Sequence, residues 1–452
     1  MPILPRFKHQ DATLKKQRNC PRFFDLSDPG TAKTRVQLDI FAERRRRKGK
    51  KMLVLAPRSI LQNAWGQDAA KYVPDMKVSI ATALNRAAAF AANADIYVTN
   101  HDAVNWLAKQ RPSFFADFDT LTIDESPAFK HHTSGRSRAL AKIKKYFPYR
   151  TAMTGTPSSR SITDIWHQVN VLDDGKRLGS SFYAFRSTVC EPVQVGHKAE
   201  MIEWHDRPGA EDVVASLLEN MSIRHLFDNV MTIPPTHKFV RDYYLTPKQI
   251  KAYKSMERDA IALLKKGAVT AINQAAVRTK LLQIASGAVY ESPDKYHLID
   301  TDRYEYVMDL VQERKHSLVF YLWKHQRDEL LRIAKARKIT YCVMDGDASD
   351  KRRIEIEQEY QNGFYQVMFA HPKSAAHGLT LTKGTATIWP SPTDDVEWWV
   401  QGNRRQARAG QTQNTEIIAI LANQTIEGKV YANMEAKQGR MQNLLELFEE
   451  AA

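Results

Sequence analysis

The chain has little cysteine, and none of its apolar stretches is long. Its three cysteines, Cys20, Cys190 and Cys342, form no CxxC pair. This spacing disfavours a disulfide framework and a cysteine zinc site, and it fits a reducing cytosol. No apolar run approaches the roughly 18 residues of a transmembrane helix, and the segment from Met1 to Lys8 lacks a signal-peptide core. We therefore expect a cytoplasmic protein without a membrane partner.

The sequence also lacks internal repeats and low-complexity tracts. A length of 452 residues implies more than one domain, and 43% hydrophobic with 26% charged residues is typical of globular proteins. The formal net charge is +15. Such a surplus favours a polyanionic partner, because each Lys or Arg placed against a phosphate displaces a condensed counterion. Basic proteins exist for other reasons too, so charge alone leaves nucleic-acid binding open.

Short apolar runs alternate with helical patterns along most of the chain. The first series predicts strands over 51–56, 94–99, 120–123 and 150–154, with helices over 35–48 and 59–72. The second predicts strands over 318–321, 340–344, 366–370, 386–389 and 416–421, with a helix over 324–338. Strands separated by helices indicate parallel sheets with helices on both faces and ligands at the carboxyl ends of the strands.

We therefore predict an α/β protein with two tandem lobes, each a mainly parallel sheet. The predicted boundaries are 1–172 for the first lobe, 173–237 for a helical subdomain or linker, 238–430 for the second lobe and 431–452 for a C-terminal amphipathic helix.

A candidate phosphate loop precedes the first long helix. Such a loop needs free backbone N–H groups, a lysine for the β- and γ-phosphates and a hydroxyl for Mg²⁺. Gly30, Lys33 and Thr34 supply these groups. The full GxxxxGK[ST] pattern is not met, because Ser27 and Ala32 stand at its two glycine positions. A plain turn before a helix remains the alternative.

Two adjacent carboxylates, Asp124 and Glu125, follow the strand predicted over 120–123. One carboxylate at a strand end can hold Mg²⁺ while its neighbour polarises the attacking water. A surface turn is the simpler interpretation of the pair alone. The lysine loop upstream favours the catalytic one.

Two arginines, Arg405 and Arg408, lie late in the second lobe. A spacing of three predicts that they share one face of a helix. Two guanidinium groups on one face can reach a γ-phosphate and offset charge that develops in the transition state. The alternative is a basic helix face in contact with water.

In this order the three elements resemble the motor core of superfamily 2 helicases, and more narrowly the Swi/Snf-type DNA translocases, with compact phage-encoded members most similar. The resemblance extends from about Leu4 to Ile420. Its most specific segment in the first lobe is Thr154-Gly155-Thr156-Pro157, followed by Asp164-Ile165-Trp166. The other matching segments are Pro5 to Gln10, Leu53 to Ser59, Val98 to Asp102, Asp124 to Lys130, Asp345 to Arg352, His377 to Thr382 and Gln401 to Gln411.

The resemblance implies two RecA-like lobes that use ATP and Mg²⁺. It assigns catalysis to Lys33, Asp124, Glu125, Arg405 and Arg408, and the metal to Thr34 and Asp124. It assigns nucleotide binding to Gln10, Gly30, Thr31, Lys33, Thr34, Arg35, Gly378 and Gln401. It assigns nucleic-acid contact and coupling to Pro57, Arg58, Ser59, Asn100, His101, Lys130, Thr154, Gly155, Thr156 and Thr380.

Several positions depart from the family pattern. Ala32 stands where the family has glycine, and its methyl is tolerated if φ is negative and strained if φ is positive. Asn403-Arg404 and Ala407 replace a small residue and a histidine, and Leu379-Thr380 replaces Leu-Asn. The charged groups that face phosphate are retained, so we expect an active enzyme.

The resulting hypothesis is a monomeric, DNA-stimulated ATPase that translocates on double-stranded or branched DNA, in the bacterial host cytoplasm if it is phage-encoded. Strand separation on DNA or RNA is one alternative. A nucleic-acid-binding scaffold with a degenerate ATP site, suggested by Ala32, is the other.

Overall fold

The computed structural model describes residues 5–195, 201–265, 271–346, 348–375 and 379–449. The chain divides into two compact units, Met1–Thr232 with Lys437–Ala452, and Ile233–Ala436. Each unit contains one large sheet whose neighbouring strands all run parallel. The predicted fold of two parallel α/β lobes is confirmed.

The sheet of the first unit has seven strands. In spatial order they are Val78–Ala81, Ile96–Asn100, Lys51–Ala56, Phe118–Asp124, Tyr149–Met153, Arg22–Asp25 and Ser222–Ile223. The four strands predicted for this lobe are present within a few residues of their predicted bounds. Arg22–Asp25 and Val78–Ala81 were not predicted, because four residues carry too little periodicity to stand out.

The central strand Lys51–Ala56 is buried on both faces. Met52 and Val54 pack in a cluster with residues of the helix Lys33–Arg46, whereas Leu53 and Leu55 pack in a second cluster on the opposite face. Burial on both faces explains why this strand is a continuous apolar run in the sequence.

Helices cover both faces of this sheet and extend beyond it. The α-helices of the first unit are Lys8–Arg18, Lys33–Arg46, Gln67–Tyr72, Arg86–Ala91, Val104–Leu107, Gly135–Ile143, Ile165–Asp173, Phe182–Val189, Ala210–Leu218 and Phe227–Val230. An antiparallel hairpin pairs Cys190–Gln194 with Ile202–Asp206.

The continuous helix predicted over 59–72 is wrong. The structure has a 3₁₀ turn at Arg58–Ile60, a π-helical segment at Leu61–Gly66 and an α-helix at Gln67–Tyr72. A π-helical segment inserts an extra residue into a turn and redirects the side chains around it. Here the segment carries Trp65, which is fully buried.

The segment predicted as a linker, 173–237, lies mostly in the first unit. Its strand Ser222–Ile223 pairs with Phe24 and Asp25 and so extends the first sheet. This pairing joins residues about 200 positions apart in the chain, which local sequence patterns do not reveal.

The sheet of the second unit has six strands. In spatial order they are Thr236–Tyr243, Thr415–Ala422, Ala386–Trp389, Ser317–Phe320, Val367–Ala370 and Tyr341–Met344. The five predicted strands are present, and Thr236–Tyr243 joins them at one edge. The α-helices here are Pro247–Lys265, Ala271–Ala285, Asp302–Gln312, Lys324–Ala336, Asp350–Gln361, Pro372–Ala375, Val396–Asn403 and the beginning of Ile426–Glu449.

The last helix begins at Ile426, five residues before its predicted start. Its first turn is anchored by a buried ion pair, in which Arg303 Nη1 lies 2.9 Å from Glu427 Oε1. A hairpin pairs Ala288–Ser292 with Lys295–Leu298. Across the described part of the chain, none of the helices combines the length and apolarity needed to cross a bilayer.

Candidate nucleotide site

The predicted phosphate loop connects the strand Arg22–Asp25 to the helix Lys33–Arg46. Two of its residues have left-handed backbone, Gly30 with φ 90° and Ala32 with φ 57° and ψ 42°. Ala32 is thus held in a conformation that costs a residue with a Cβ about 1 kcal/mol. The structure answers the question that the sequence left open: the alanine at this glycine position is strained.

Lys33 is the first residue of the helix, and its side chain turns back into the loop. Its Nζ donates to Ser27 O at 2.7 Å and Asp28 O at 2.9 Å. Thr34 follows in the first turn of this 14-residue helix, whose N-terminal N–H groups and dipole favour anions. The loop therefore places an ammonium and a helix N-terminus together, as phosphate binding requires.

The helix Lys8–Arg18 holds the loop from the other side. The buried Gln10 accepts from Phe7 N at 2.9 Å and donates through Nε2 to Ala32 O at 3.1 Å. His9 Nε2 donates to Thr31 O at 2.9 Å. Two consecutive loop carbonyls are thus bound by neighbouring side chains, which stabilises the left-handed turn.

The acidic pair lies at the end of the strand Phe118–Asp124. Asp124 Oδ2 accepts from Trp65 Nε1 at 2.9 Å, and Asp124 O accepts from His101 Nε2 at 2.7 Å. Glu125 has left-handed backbone with φ 52°. Thr154 Oγ1 lies 3.5 Å from Glu125 Oε2. The two carboxylates and the predicted coupling segment, Thr154-Gly155-Thr156, therefore meet at one edge of the sheet.

Burial raises the pKa of Asp124 to about 7, and the neighbouring Glu125 carboxylate adds to the rise, against opposing contributions from Trp65 and Lys33. Charge on a buried carboxylate is unfavourable until a cation compensates it.

The oxygen ligands of Asp124 and Thr34 suit Mg²⁺, which is commonly held by one or two carboxylates together with phosphates and water. Among the described residues no cluster of three or more acidic, histidine or cysteine side chains could hold a metal. The residues present thus fit a metal shared with a nucleotide.

The predicted coupling segment lies directly against the phosphate loop. Thr154 N donates to Asp25 O at 3.0 Å, and Thr156 N donates to Thr154 Oγ1 at 2.9 Å. A Cβ on Gly155 would lie 2.6 Å from Pro29 Cδ. Glycine is required here for the close approach of the two segments.

The prediction that Arg405 and Arg408 share a helix face is wrong. The helix Val396–Asn403 ends before them, and they lie on the turns that follow. Each Nε donates to the carbonyl four residues earlier, Gln401 O at 2.9 Å and Arg404 O at 3.0 Å. These are the acceptors that a continuing helix would use for its backbone N–H groups.

The two arginines nevertheless converge on one acceptor. Nη1 of Arg405 and Nη1 of Arg408 donate to Leu379 O at 3.1 and 3.0 Å. Arg408 Nη1 also donates to Thr380 Oγ1 at 3.3 Å, and Thr380 N donates to Glu357 Oε1 at 2.7 Å. Arg405, Arg408 and Thr380 therefore form one hydrogen-bonded group within the second unit.

Gln401 is buried next to this group, with 1% of its surface exposed. Within the described part of the chain, neither of its amide atoms has a hydrogen-bond partner. Buried amides are rarely left unsatisfied, so this one is suited to a ligand. Gly378, also predicted to bind nucleotide, lies outside the described residues.

Two known protein domains match most of the chain. The SNF2-related domain matches residues 13–286, and the helicase conserved C-terminal domain matches residues 302–410. The chain belongs to the SNF2-related family. It is accordingly an ATP-hydrolysing, helicase-like enzyme. Its similarity to a phage protein confirms the predicted resemblance to phage-encoded members.

Individual relatives of this SNF2-related chain differ in length. Protein p41 of Acyrthosiphon pisum secondary endosymbiont phage 1 is 28% identical over 432 residues, covering 88% of each chain. An uncharacterised ATP-dependent helicase of Mycoplasma genitalium is 23% identical, covering 85% of this chain and 36% of the relative. The mouse DNA annealing helicase and endonuclease ZRANB3 is 23% identical, covering 71% of this chain and 29% of its own length. The chain thus spans only about a third of these last two relatives.

Among solved structures, the Sulfolobus solfataricus SWI2/SNF2 ATPase core in complex with dsDNA is similar to this SNF2-related chain. The identity is 20%, the coverage is 98% of this chain and 93% of the other, and the TM-score is 0.45.

The residues predicted to contact DNA in the SNF2-related chain fall into two groups. Pro57, Arg58 and Ser59 follow the strand Lys51–Ala56, and Asn100 ends the strand Ile96–Asn100, all at the carboxyl edge of the sheet. Arg58 is exposed there. His101 and Lys130 form the second group and make contacts within the protein instead. His101 Nε2 donates to Asp124 O, and Lys130 Nζ donates to Ser159 Oγ at 2.8 Å and lies 3.4 Å from Asp164 Oδ2.

Arg35, predicted to bind nucleotide, is buried and engaged by its own unit. Its guanidinium lies 4.4 Å from the centre of the Tyr72 ring, and Nη1 donates to Pro5 O at 2.8 Å. Through these contacts Arg35 packs the helix that follows the loop against Tyr72 and Pro5.

Three side chains of this SNF2-related site were not predicted from the sequence. Trp65 binds Asp124, His9 binds the loop, and Gln168 accepts from Ser126 Oγ at 2.6 Å while donating to Pro157 O at 2.7 Å. The partners of Trp65 and Gln168 lie 59 and 42 residues away. Of these three residues, Trp65 is the one marked by an irregularity, because it lies in a π-helical segment. That irregularity is visible in the structure and not in the sequence.

Proposed function

We propose that this chain is a DNA-stimulated ATPase that moves along double-stranded or branched DNA. The observation that carries the proposal is the acidic pair of the buried Asp124 and the half-buried Glu125. The pair lies at the same sheet edge as the Lys33 loop, and Glu125 contacts Thr154. The net charge of +15 supports a nucleic-acid track. The relative ZRANB3, named a DNA annealing helicase, supports DNA as that track.

The proposed roles follow from the groups each residue offers. Lys33 and the helix N-terminus bind phosphates, Thr34 and Asp124 hold Mg²⁺, and Glu125 orients the attacking water. Bound Mg²⁺ would neutralise charge on the phosphates. Arg405 and Arg408 would leave the Leu379 carbonyl and bind the γ-phosphate when ATP is engaged.

The Gly155 segment supplies a physical link between hydrolysis and movement. Because it touches Pro29 of the phosphate loop and its neighbour Thr154 lies near Glu125, a change in the loop displaces it directly. Repeated displacement of a DNA-contacting edge during each cycle of ATP hydrolysis is how a motor of this kind would advance.

The test is an ATPase measurement with duplex DNA, branched DNA, single strands and RNA. We expect duplex or branched DNA to stimulate turnover most, and Lys33→Ala and Glu125→Gln to reduce it at least about 100-fold. Lys142→Ala, an exposed lysine on the helix Gly135–Ile143, is the control and should retain activity. Full DNA-stimulated activity in either site variant, or no stimulation by any DNA, would contradict the proposal.

Movement along duplex and strand separation are distinguished by a second assay. A translocase displaces a third strand bound to a duplex, whereas a helicase separates the arms of a fork. We expect displacement of the third strand. A salt series adds the number of phosphates bound, since log K falls against log salt by about 0.9 per phosphate contact on duplex DNA.

A further inference from the structure

We propose that the second unit binds one unstacked nucleobase of a DNA strand in a cavity lined by Gln283, Tyr290 and Trp323. The cavity has a volume of about 500 Å³. It lies between the helix Ala271–Ala285, the hairpin that begins at Ala288 and the residues after the strand Ser317–Phe320. That volume falls within the roughly 300–1,000 Å³ of small-ligand sites. The choice of DNA as the source of the base rests on the proposed function.

The position of the cavity in the fold favours a ligand. Leu322, Trp323 and Lys324 line it, and they begin two residues after the carboxyl end of the strand Ser317–Phe320. Parallel α/β sheets bind their ligands at the carboxyl ends of the strands, where loops rather than strands determine the surface.

Two aromatic side chains form its walls. The Tyr290 and Trp323 rings are 6.2 Å apart between centroids and inclined at 44°. Aromatic faces bind any base by stacking, because every base has a π-face. Both side chains are half-buried, so part of each ring remains accessible from the cavity.

A buried hydrogen-bond network holds the tyrosine wall in place. Tyr290 Oη accepts from His325 N at 3.0 Å and lies 3.1 Å from His325 Nδ1, while His325 Nε2 donates to Ser286 O at 3.2 Å. Burial lowers the pKa of His325 to about 4, so the imidazole is neutral and Nδ1 can accept from the tyrosine hydroxyl. A wall fixed in this way binds without the entropy loss of ordering it.

Gln283 provides the polar contact. It is 6% exposed, and its buried Oε1 has no hydrogen-bond partner in the described part of the chain. An unsatisfied buried amide oxygen is unfavourable, and a bound N–H donor would relieve it. A carboxamide presents a donor and an acceptor side by side, which matches the hydrogen-bonding edge of a nucleobase.

Lysines at the cavity supply charge for the backbone of the same strand. Lys280 and Lys324 both line it. Lys280 Nζ donates to Tyr290 O and Lys324 pairs with Asp294, which leaves further N–H donors on each ammonium. Phosphates on either side of the bound base could accept these donors.

A paired and stacked base cannot enter such a cavity, because its hydrogen-bonding edge and its faces are already occupied in the duplex. The ligand must therefore be an unpaired nucleotide, as at a bulge, gap or branch. The chain should accordingly prefer DNA that contains one.

The experiment measures binding without ATP by fluorescence anisotropy. Three duplexes are compared: one with a single extrahelical nucleotide, the same duplex with an abasic residue at that position, and one fully paired. We expect the wild-type chain to bind the extrahelical base about 10-fold more tightly than the abasic residue, which is within the range for stacking of one base.

Two variants remove the two contacts separately. Gln283→Met keeps the side-chain volume but removes the amide, and Trp323→Leu removes the stacking surface. Each should lower the 10-fold preference to about 2-fold or less without weakening binding to the paired duplex, since the phosphate contacts remain. Phe364→Leu, at an aromatic residue of the same unit with 65% exposure, is the matched control and should retain the preference.

The inference is overturned if the wild-type chain binds the base and the abasic residue equally, or if both site variants keep the preference. Competition by a free nucleoside monophosphate at equal concentration would assign the cavity to free nucleotides and would also overturn the strand assignment. ATPase activity on paired duplex is measured in parallel. Stimulated activity without a bulge preference refutes only this inference, whereas a bulge preference without DNA-stimulated ATPase activity refutes only the proposed function.

Discussion

The two units position their candidate catalytic groups by different means. In the first unit Asp124 and Glu125 lie at the end of one strand of the parallel sheet, and Lys33 begins the helix after the loop that follows another strand. The backbone at Ala32 and Glu125 is left-handed. In the second unit Arg405 and Arg408 lie on irregular turns and are held by hydrogen bonds to Leu379 O.

This difference separates a rigid site from an adjustable one. Groups at strand ends move only if the sheet moves, and the strained backbone beside them persists because surrounding contacts hold it. The arginines can exchange the Leu379 carbonyl, one of their acceptors, for a phosphate oxygen, and a hydrogen bond to a charged oxygen is stronger than one to a carbonyl. We therefore expect changes at the arginines to affect turnover, and changes in the first unit to affect binding geometry and stability as well as turnover.

The largest expected effect concerns Arg408. Arg408→Ala should lower kcat about 1,000-fold, because an arginine that stabilises transition-state charge is worth at least that much in related phosphoryl transfers. Arg408→Lys should be intermediate, since lysine keeps the charge but loses the planar fork. Steady-state ATPase kinetics with saturating DNA measure the effect.

The control for Arg408 is Arg332→Ala, at an exposed arginine on the helix Lys324–Ala336. An unchanged kcat in Arg408→Ala would show that the arginine only stabilises the turn.

A smaller effect is expected where the coupling segment touches the phosphate loop. Gly155→Ala would place a Cβ 2.6 Å from Pro29 Cδ and displace the loop. We expect kcat/KM for ATP to fall about 10- to 100-fold, because small misplacements of a site can cost up to about 100-fold. Gly135→Ala is the matched control, since a Cβ there meets nothing within 4 Å. Equal kinetics in the two variants would refute the close contact.

Asp124 should make the stability of the first unit depend on pH. Its pKa is about 7 in the folded chain against 3.8 ordinarily. The unfolded chain therefore loses its proton first, and stability decreases as pH rises from about 4 to 7. Asp124→Asn removes this loss, so its stability advantage over the wild type should grow by about 2 to 3 kcal/mol between pH 5 and pH 8. Urea unfolding at the two pH values measures it.

Asp117→Asn, at a carboxylate with 76% side-chain exposure, is the control for Asp124 and should show no such pH dependence. A constant stability difference for Asp124→Asn across this pH range would contradict the raised pKa.

The smallest expected effect concerns the strained loop alanine. Ala32→Gly should stabilise the first unit by about 0.5 to 1 kcal/mol, because glycine adopts φ near 57° without strain. Ala141→Gly, at an exposed position of the helix Gly135–Ile143, should destabilise it by about 1 kcal/mol. Chemical denaturation distinguishes the two. Destabilisation by Ala32→Gly would mean that the methyl makes a contact that outweighs the strain.

The sequence by itself determined the fold class and most of the central strands. Apolar runs such as 51–56 and 386–389 coincide with the observed strands, because burial on both faces leaves a local, readable pattern. The order of the loop, the acidic pair and the arginines indicated the family, because each of them is a short, contiguous segment that can be recognised in the sequence.

Only the tertiary structure decided how these segments act on one another. The backbone of Ala32, the contact of Gly155 with Pro29, the hydrogen bond from Trp65 to Asp124 and the shared Leu379 carbonyl all depend on residues distant in the chain. Local periodicity records which face of an element is buried, whereas these contacts depend on which elements pack together and at what distance.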